Sequence, residues 1–111
     1  MKPNLLIIVV DSLRQDKCIG DTKSSHTPNL DEFINKGSFF SQAISTASKT
    51  VPSLSSIFTG KYPFESTIVE KDFFKLDPKI STFCDELKNN EYTCNAILPE
   101  ILKETNLPKL F

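Results

Sequence analysis

Apolar residues fall into unbroken runs and helical stripes along the chain, separated by polar stretches rich in turn formers. The first run, Leu5 to Val10, is continuous and stops at Asp11. A strand that is apolar on both faces suits the centre of a parallel sheet covered by helices on both sides, so this run predicts a buried strand. The polar stretch from Asp11 to Ser25 predicts a long loop with room for one helical turn. Thr27-Pro28 then opens a helix, Thr as N-cap and Pro at the first helical position. Leu30, Phe33 and Ile34 form its apolar stripe, Asp31 and Glu32 sit near its positive end, and Gly37 stops it. Ser38 to Ile44, with Phe39 and Phe40, predicts a second strand.

A second helix is predicted from Thr50, with Pro52 in its first turn. Leu54, Ile57 and Phe58 mark its buried face, and Gly60 ends it. Residues 61–79 carry charges and prolines and predict a loop, with a short excursion at Phe73–Phe74. Ile80, Phe83, Cys84 and Leu87 mark a third helix, Glu91 to Leu98 a strand ended by Pro99, and Pro108 prevents any long helix near Phe111. Alternating strands and helices imply an α/β fold with a mostly parallel sheet and helices on both faces. Ligands of such sheets bind at the carboxyl ends of strands. Asp11 ends the first strand and Thr50 follows the second after a short loop, which predicts both on one rim.

Composition narrows the partners. The chain has 111 residues, 39% hydrophobic, with 13 Lys plus Arg against 14 Asp plus Glu. No basic stripe or like-charge block points to nucleic acid. A membrane span needs about 20 consecutive apolar residues, far more than Leu5–Val10 offers, and no signal peptide is expected. The three cysteines, Cys18, Cys84 and Cys94, form no C-x-x-C pair; they fit buried, reduced thiols and a cytoplasmic setting.

Two residues could carry chemistry. A carboxylate directly after a buried strand must meet water, a hydrogen-bond network or a cation, because burying it unpaired is costly. Asp11 therefore reads either as a cap on the following turn or as a ligand for a hard divalent ion. Thr50 reads either as a plain N-cap or as a nucleophile facing an anionic ester, since N–H groups at a helix start point toward bound phosphate or sulfate. In the second reading a metal or base would have to activate its hydroxyl. His26 is expected to be exposed. Lys49 reads as a solvated lysine or a partner for an anionic leaving group, and Arg14 and Asp16 as loop charges or contacts around Asp11.

Three segments bear a resemblance in order and in register. Pro3-Asn4-Leu5-Leu6-Ile7-Ile8-Val9-Val10-Asp11-Ser12-Leu13-Arg14, Thr27-Pro28-Asn29-Leu30-Asp31, and Thr50-Val51-Pro52-Ser53 through Ile57-Phe58-Thr59-Gly60-Lys61-Tyr62-Pro63 are similar to the N-terminal signature of the sulfatase family, within the alkaline phosphatase superfamily. The resemblance implies a three-layer α/β/α, alkaline-phosphatase-like domain, incomplete here, with residues 1–111 as its N-terminal part. It implies Asp11 as a metal ligand, Thr50 as catalytic nucleophile and second ligand, and a divalent cation (Ca, Mg, Mn or Zn). The substrate implied is a small phosphate or sulfate ester.

This sequence departs from the family pattern twice. Sulfatases place Cys or Ser where Thr50 stands, for oxidation to formylglycine, with Arg where Leu54 stands. The β-carbon of threonine already carries a methyl group, so oxidation would give a ketone. Threonine at this place resembles the phosphotransferase and phosphodiesterase branches, which pass through a phosphothreonine and are commonly membrane-anchored. The second departure is Ser12, where many sulfatases carry a further Asp. The resemblance also implies that the remaining ligands lie far downstream, so residues 1–111 are expected to be inactive alone and to need a downstream polypeptide. A non-catalytic, truncated or degenerate sulfatase-like protein is the alternative expectation.

Overall fold

The computed structural model describes residues 2–111 and divides into two compact units, Met1–Ala43 and Ile44–Phe111. In the first unit the apolar run leads into a turn at Asp11–Ser12. A short helix α1 (Gln15–Cys18) and helix α2 (Pro28–Lys36) follow. The Cys18 side chain is buried, and the Ser24 and Ser25 N–H groups both donate to the Lys17 carbonyl, closing the loop between the helices. Lys23 pairs with Asp31 at 2.6 Å and ties that loop to the first turn of α2.

The second unit holds helices α3 (Thr50–Thr59), α4 (Pro63–Ser66) and α5 (Phe83–Asn89). It also holds strands β1 (Thr67–Glu70) and β2 (Phe73–Leu76) and two 3-10 turns, Glu100–Leu102 and Leu107–Leu110. β1 and β2 form an antiparallel hairpin, Thr67 opposite Leu76 and Glu70 opposite Phe73. Lys71 and Asp72 both take positive φ, 51° and 64°, the geometry that lets a tight turn follow the strand twist. Leu54, Phe58, Leu76, Cys84, Leu102, Leu107 and Leu110 make the core of this unit. Phe58 stacks on Phe83 at 5.2 Å and meets Phe111 edge-on at 5.8 Å. The Leu76 N–H donates to the Thr105 carbonyl, and Asn106 Nδ2 donates to the Leu76 carbonyl, so the C-terminal turns are bonded to β2.

The helices formed close to where the sequence places them, with corrections at their ends. α3 opens one residue earlier than a cap at Thr50 would give: Lys49 is the cap residue and Thr50 the first helical one. Thr27 precedes α2 but makes no side-chain cap, and its Oγ1 is buried without a partner. The third helix begins at Phe83, so Ile80 lies in the preceding turn. Gly60 closes α3 in the left-handed region, as expected of a stop.

The strands need larger corrections. Among the described residues, 5–10, 38–44 and 91–98 join no sheet ladder and are not strands, and the parallel sheet expected from the alternation is absent. Strand structure instead arises inside 61–79, expected as loop with a short excursion at Phe73–Phe74, where β2 begins. A strand exists only through a partner's ladder of hydrogen bonds, and a local apolar run cannot supply one. Leu6 and Ile8 accordingly stand 82% and 72% exposed, and Phe33, from the apolar stripe of α2, is 73% exposed. The α/β character holds, carried by an antiparallel hairpin.

Candidate functional site

Asp11 lies in the first unit, the exposed opening residue of a turn. Ser12 adopts φ 58°, a left-handed conformation that reverses the chain there. Its hydroxyl donates to Asp11 Oδ2 at 3.4 Å. Arg14 and Asp16, considered above as neighbours of Asp11, engage each other: Nε donates to Oδ1 at 3.0 Å and Nη2 to Oδ2 at 2.8 Å. The guanidinium holds the Asp16 carboxyl below the usual carboxylate range, chiefly through these hydrogen bonds.

Thr50 lies in the second unit, exposed, at the start of the ten-residue α3. Lys49 before it is extended, and its carbonyl accepts from the Ser53 N–H at 3.1 Å. The Lys49 side chain provides no cap; its Nζ lies 4.8 Å from the centre of the Phe74 ring, in the range of cation–π attraction. Sequence reasoning missed this contact, because Phe74 was expected only in a short excursion within a loop and the strand it joins was not foreseen. It also missed Ser45, whose Oγ donates to the Ala47 carbonyl at 2.7 Å and lies 3.1 Å from Ser53 Oγ, bracing the segment that leads into α3. Nothing in the spacing of two serines signals such a brace. His26 is exposed, as expected.

Asp11 suits a divalent cation in donor chemistry, as an accessible carboxylate on a tight turn. The donors are too few for a complete site. No group of three His, Cys, Asp or Glu gathers among the described residues, whereas a hard cation such as calcium takes about six to eight oxygens. These residues can supply one carboxylate to a cation but cannot hold it alone.

Helices with one antiparallel hairpin make this an α/β class of protein. Within that class the family is shown by comparison: the sulfatase family model matches residues 3–106, and the chain belongs to the sulfatase family. Human arylsulfatase H is 33% identical over 69 residues, covering 61% of this chain and 12% of its own length. The N-acetylgalactosamine-6-O-sulfatase of Bacteroides thetaiotaomicron is 32% identical over 102 residues, 86% of this chain and 20% of its own. The arylsulfatase of Clostridium perfringens is 39% identical over 62 residues, 54% and 13% respectively. The chain thus spans only 12% to 20% of the length of these relatives. No solved structure matches it significantly.

Proposed function

We propose that this chain is part of a metal-dependent ester hydrolase or transferase in which Thr50 is the nucleophile and Asp11 one metal ligand. The observation that carries the reading is Thr50 as the exposed first residue of α3, in a chain that belongs to the sulfatase family. The first-turn N–H groups of a helix lack intrahelical acceptors and favour an anion, so an ester's sulfuryl or phosphoryl oxygens suit this position. The relatives are named as sulfatases, which favours a sulfate ester. Threonine favours a phosphate ester as the second reading, because its methyl-bearing β-carbon blocks the aldehyde route.

In this reading Thr50 Oγ1 gives up its proton and bonds to phosphorus or sulfur while the ester's alkoxide leaves and takes up that proton to become the alcohol. Water or a second alcohol then attacks the same atom and releases Thr50. Asp11 contributes one carboxylate to a cation that supplies charge neutralisation when bound; the other ligands come from further polypeptide. The same reading makes residues 5–10 a central parallel strand of the complete three-layer domain. It also places the protein in the reducing cytoplasm, for which its cysteine usage speaks.

The test compares wild type, Thr50→Ala and Asp11→Asn, each within the complete reading frame, on 4-nitrophenyl sulfate, 4-nitrophenyl phosphate and the bis-ester. Thr50→Ala is expected to lose roughly 10³-fold or more in kcat/KM. Asp11→Asn is expected to lose activity in a way partly restored by excess divalent cation. A quenched reaction should show the Thr50 peptide carrying one transferred group. An alanine variant with the full wild-type rate removes Thr50 from the mechanism.

A further inference from the structure

Cys84 and Cys94 take no part in the chemistry proposed above, yet they share one place in the core of the second unit. Cys84 lies in the first turn of α5 and is 1% exposed. Cys94 lies in the irregular stretch after α5, half-buried and packed against the same cluster. The chain reverses between them: the Tyr92 N–H donates to the Leu87 carbonyl at 3.0 Å, and Glu91 takes a positive φ of 63°. Cys94 Sγ is thereby brought to 3.9 Å from the Cys84 carbonyl oxygen, toward which its thiol donates. Both thiols are free.

Two buried thiols in contact are inert if neither meets solvent. Here they differ: Cys94 retains partial exposure and Cys84 has almost none. Burial, and after it the neighbouring Cys94, pushes the Cys84 thiol above its ordinary range, so Cys84 is not the first to react. An accessible thiol backed by a buried one has the layout of an attacking and a resolving cysteine.

We propose that Cys84 and Cys94 form a reversible intramolecular disulfide with a small-molecule disulfide oxidant such as oxidised glutathione, fastening the stretch after α5 to that helix. The Cys94 thiolate attacks one glutathione sulfur. The glutathione S–S bond breaks, and one glutathione thiolate leaves and takes up the proton released by Cys94. Cys84, after giving its proton to water, attacks Cys94 Sγ in the mixed disulfide and expels the second glutathione. Two protein thiols are oxidised and one glutathione disulfide is reduced to two thiols.

The protein is incubated over a range of oxidised-to-reduced glutathione ratios, alkylated and digested with trypsin without reduction. Cleavage after Lys79, Lys88 and Lys103 separates Cys84 from Cys94, so the disulfide appears as peptide 80–88 linked to peptide 89–103. That linked pair is expected at oxidising ratios, disappearing with dithiothreitol. Cys84→Ser is expected to accumulate glutathione on Cys94, and Cys94→Ser to leave Cys84 unmodified. Chymotryptic cleavage after Tyr92 is expected to slow several-fold in the oxidised form. A wild-type protein that stops at the mixed disulfide, keeps both thiols free or links only between chains overturns the proposal. A linked pair that leaves the Tyr92 cleavage rate unchanged overturns the fastening of this stretch. The decisive reading comes from unsubstituted protein, so a variant that fails to fold does not blunt it.

Discussion

Gly60 separates backbone strain from packing at a single residue. It closes α3 with φ 68°, and a β-carbon added there would meet nothing within 4 Å. Gly60→Ala therefore costs only the strain of a left-handed alanine, about 1–2 kcal/mol, and the measurement is the shift in a denaturant midpoint at constant slope. Leu107 presents the opposite balance. It is 1% exposed within the core of the second unit, so Leu107→Ala removes transfer energy and leaves a cavity. The expected loss is about 2–5 kcal/mol, read from the same unfolding curve. In the role proposed for Thr50 the argument is chemical: a methyl on the β-carbon forbids an aldehyde, which is why a phosphate ester stands beside a sulfate ester in that proposal. Residue identity made this visible without coordinates.

At the scale of elements, α5 shows how a local signal becomes a helix. The Thr82 N–H donates to Asp85 Oδ2 at 2.7 Å, while the Asp85 N–H donates to Thr82 Oγ1 at 3.4 Å, a reciprocal capping box. The Thr82 hydroxyl and then its N–H hold the Asp85 carboxyl below its ordinary range. A carboxylate with a lowered folded pKa contributes stability that is full above the unfolded pKa and is lost as pH falls through the folded one. The window thus lies at and below about pH 4. Thr82→Ala is expected to cost about 1 kcal/mol at neutral pH. Asp85→Asn is expected to flatten the acid limb of a stability-versus-pH curve; an unchanged limb means that the box contributes nothing measurable. The helices were legible in the sequence through their apolar stripes, with Pro28 and Gly60 marking a start and a stop; the capping box at Thr82 was not read there. The hairpin was not. Its turn is Lys71-Asp72 rather than Asn-Gly, and its strands alternate too weakly to stand out from loop. The expected strands are not formed for the converse reason: Leu5–Val10 has the right pattern but no ladder to join among the described residues.

For the whole molecule, the same absence of partners has a consequence in solution. Asp11 and Thr50 were legible as candidate site residues because they sit beside strong local signals, but the common rim expected for them depended on a sheet that the described residues do not build. The apolar run before Asp11 is the clearest mark of that dependence, since Leu5 through Val10 are all exposed. Among the described residues the run joins no sheet, which makes its backbone, flanked by exposed apolar side chains, a template for pairing with another chain. Residues 1–111 expressed alone are expected to self-associate and to bind a hydrophobic dye. Leu6→Lys with Ile8→Lys introduces charge at two of the most exposed positions in the run and is expected to lower both signals. Analytical ultracentrifugation across a concentration series reads the first and dye fluorescence the second. If the lysine pair leaves association unchanged, another surface drives it. A monomer with a sharp melting transition and little dye binding before substitution means that the run is already satisfied, and its assignment as a strand awaiting partners fails.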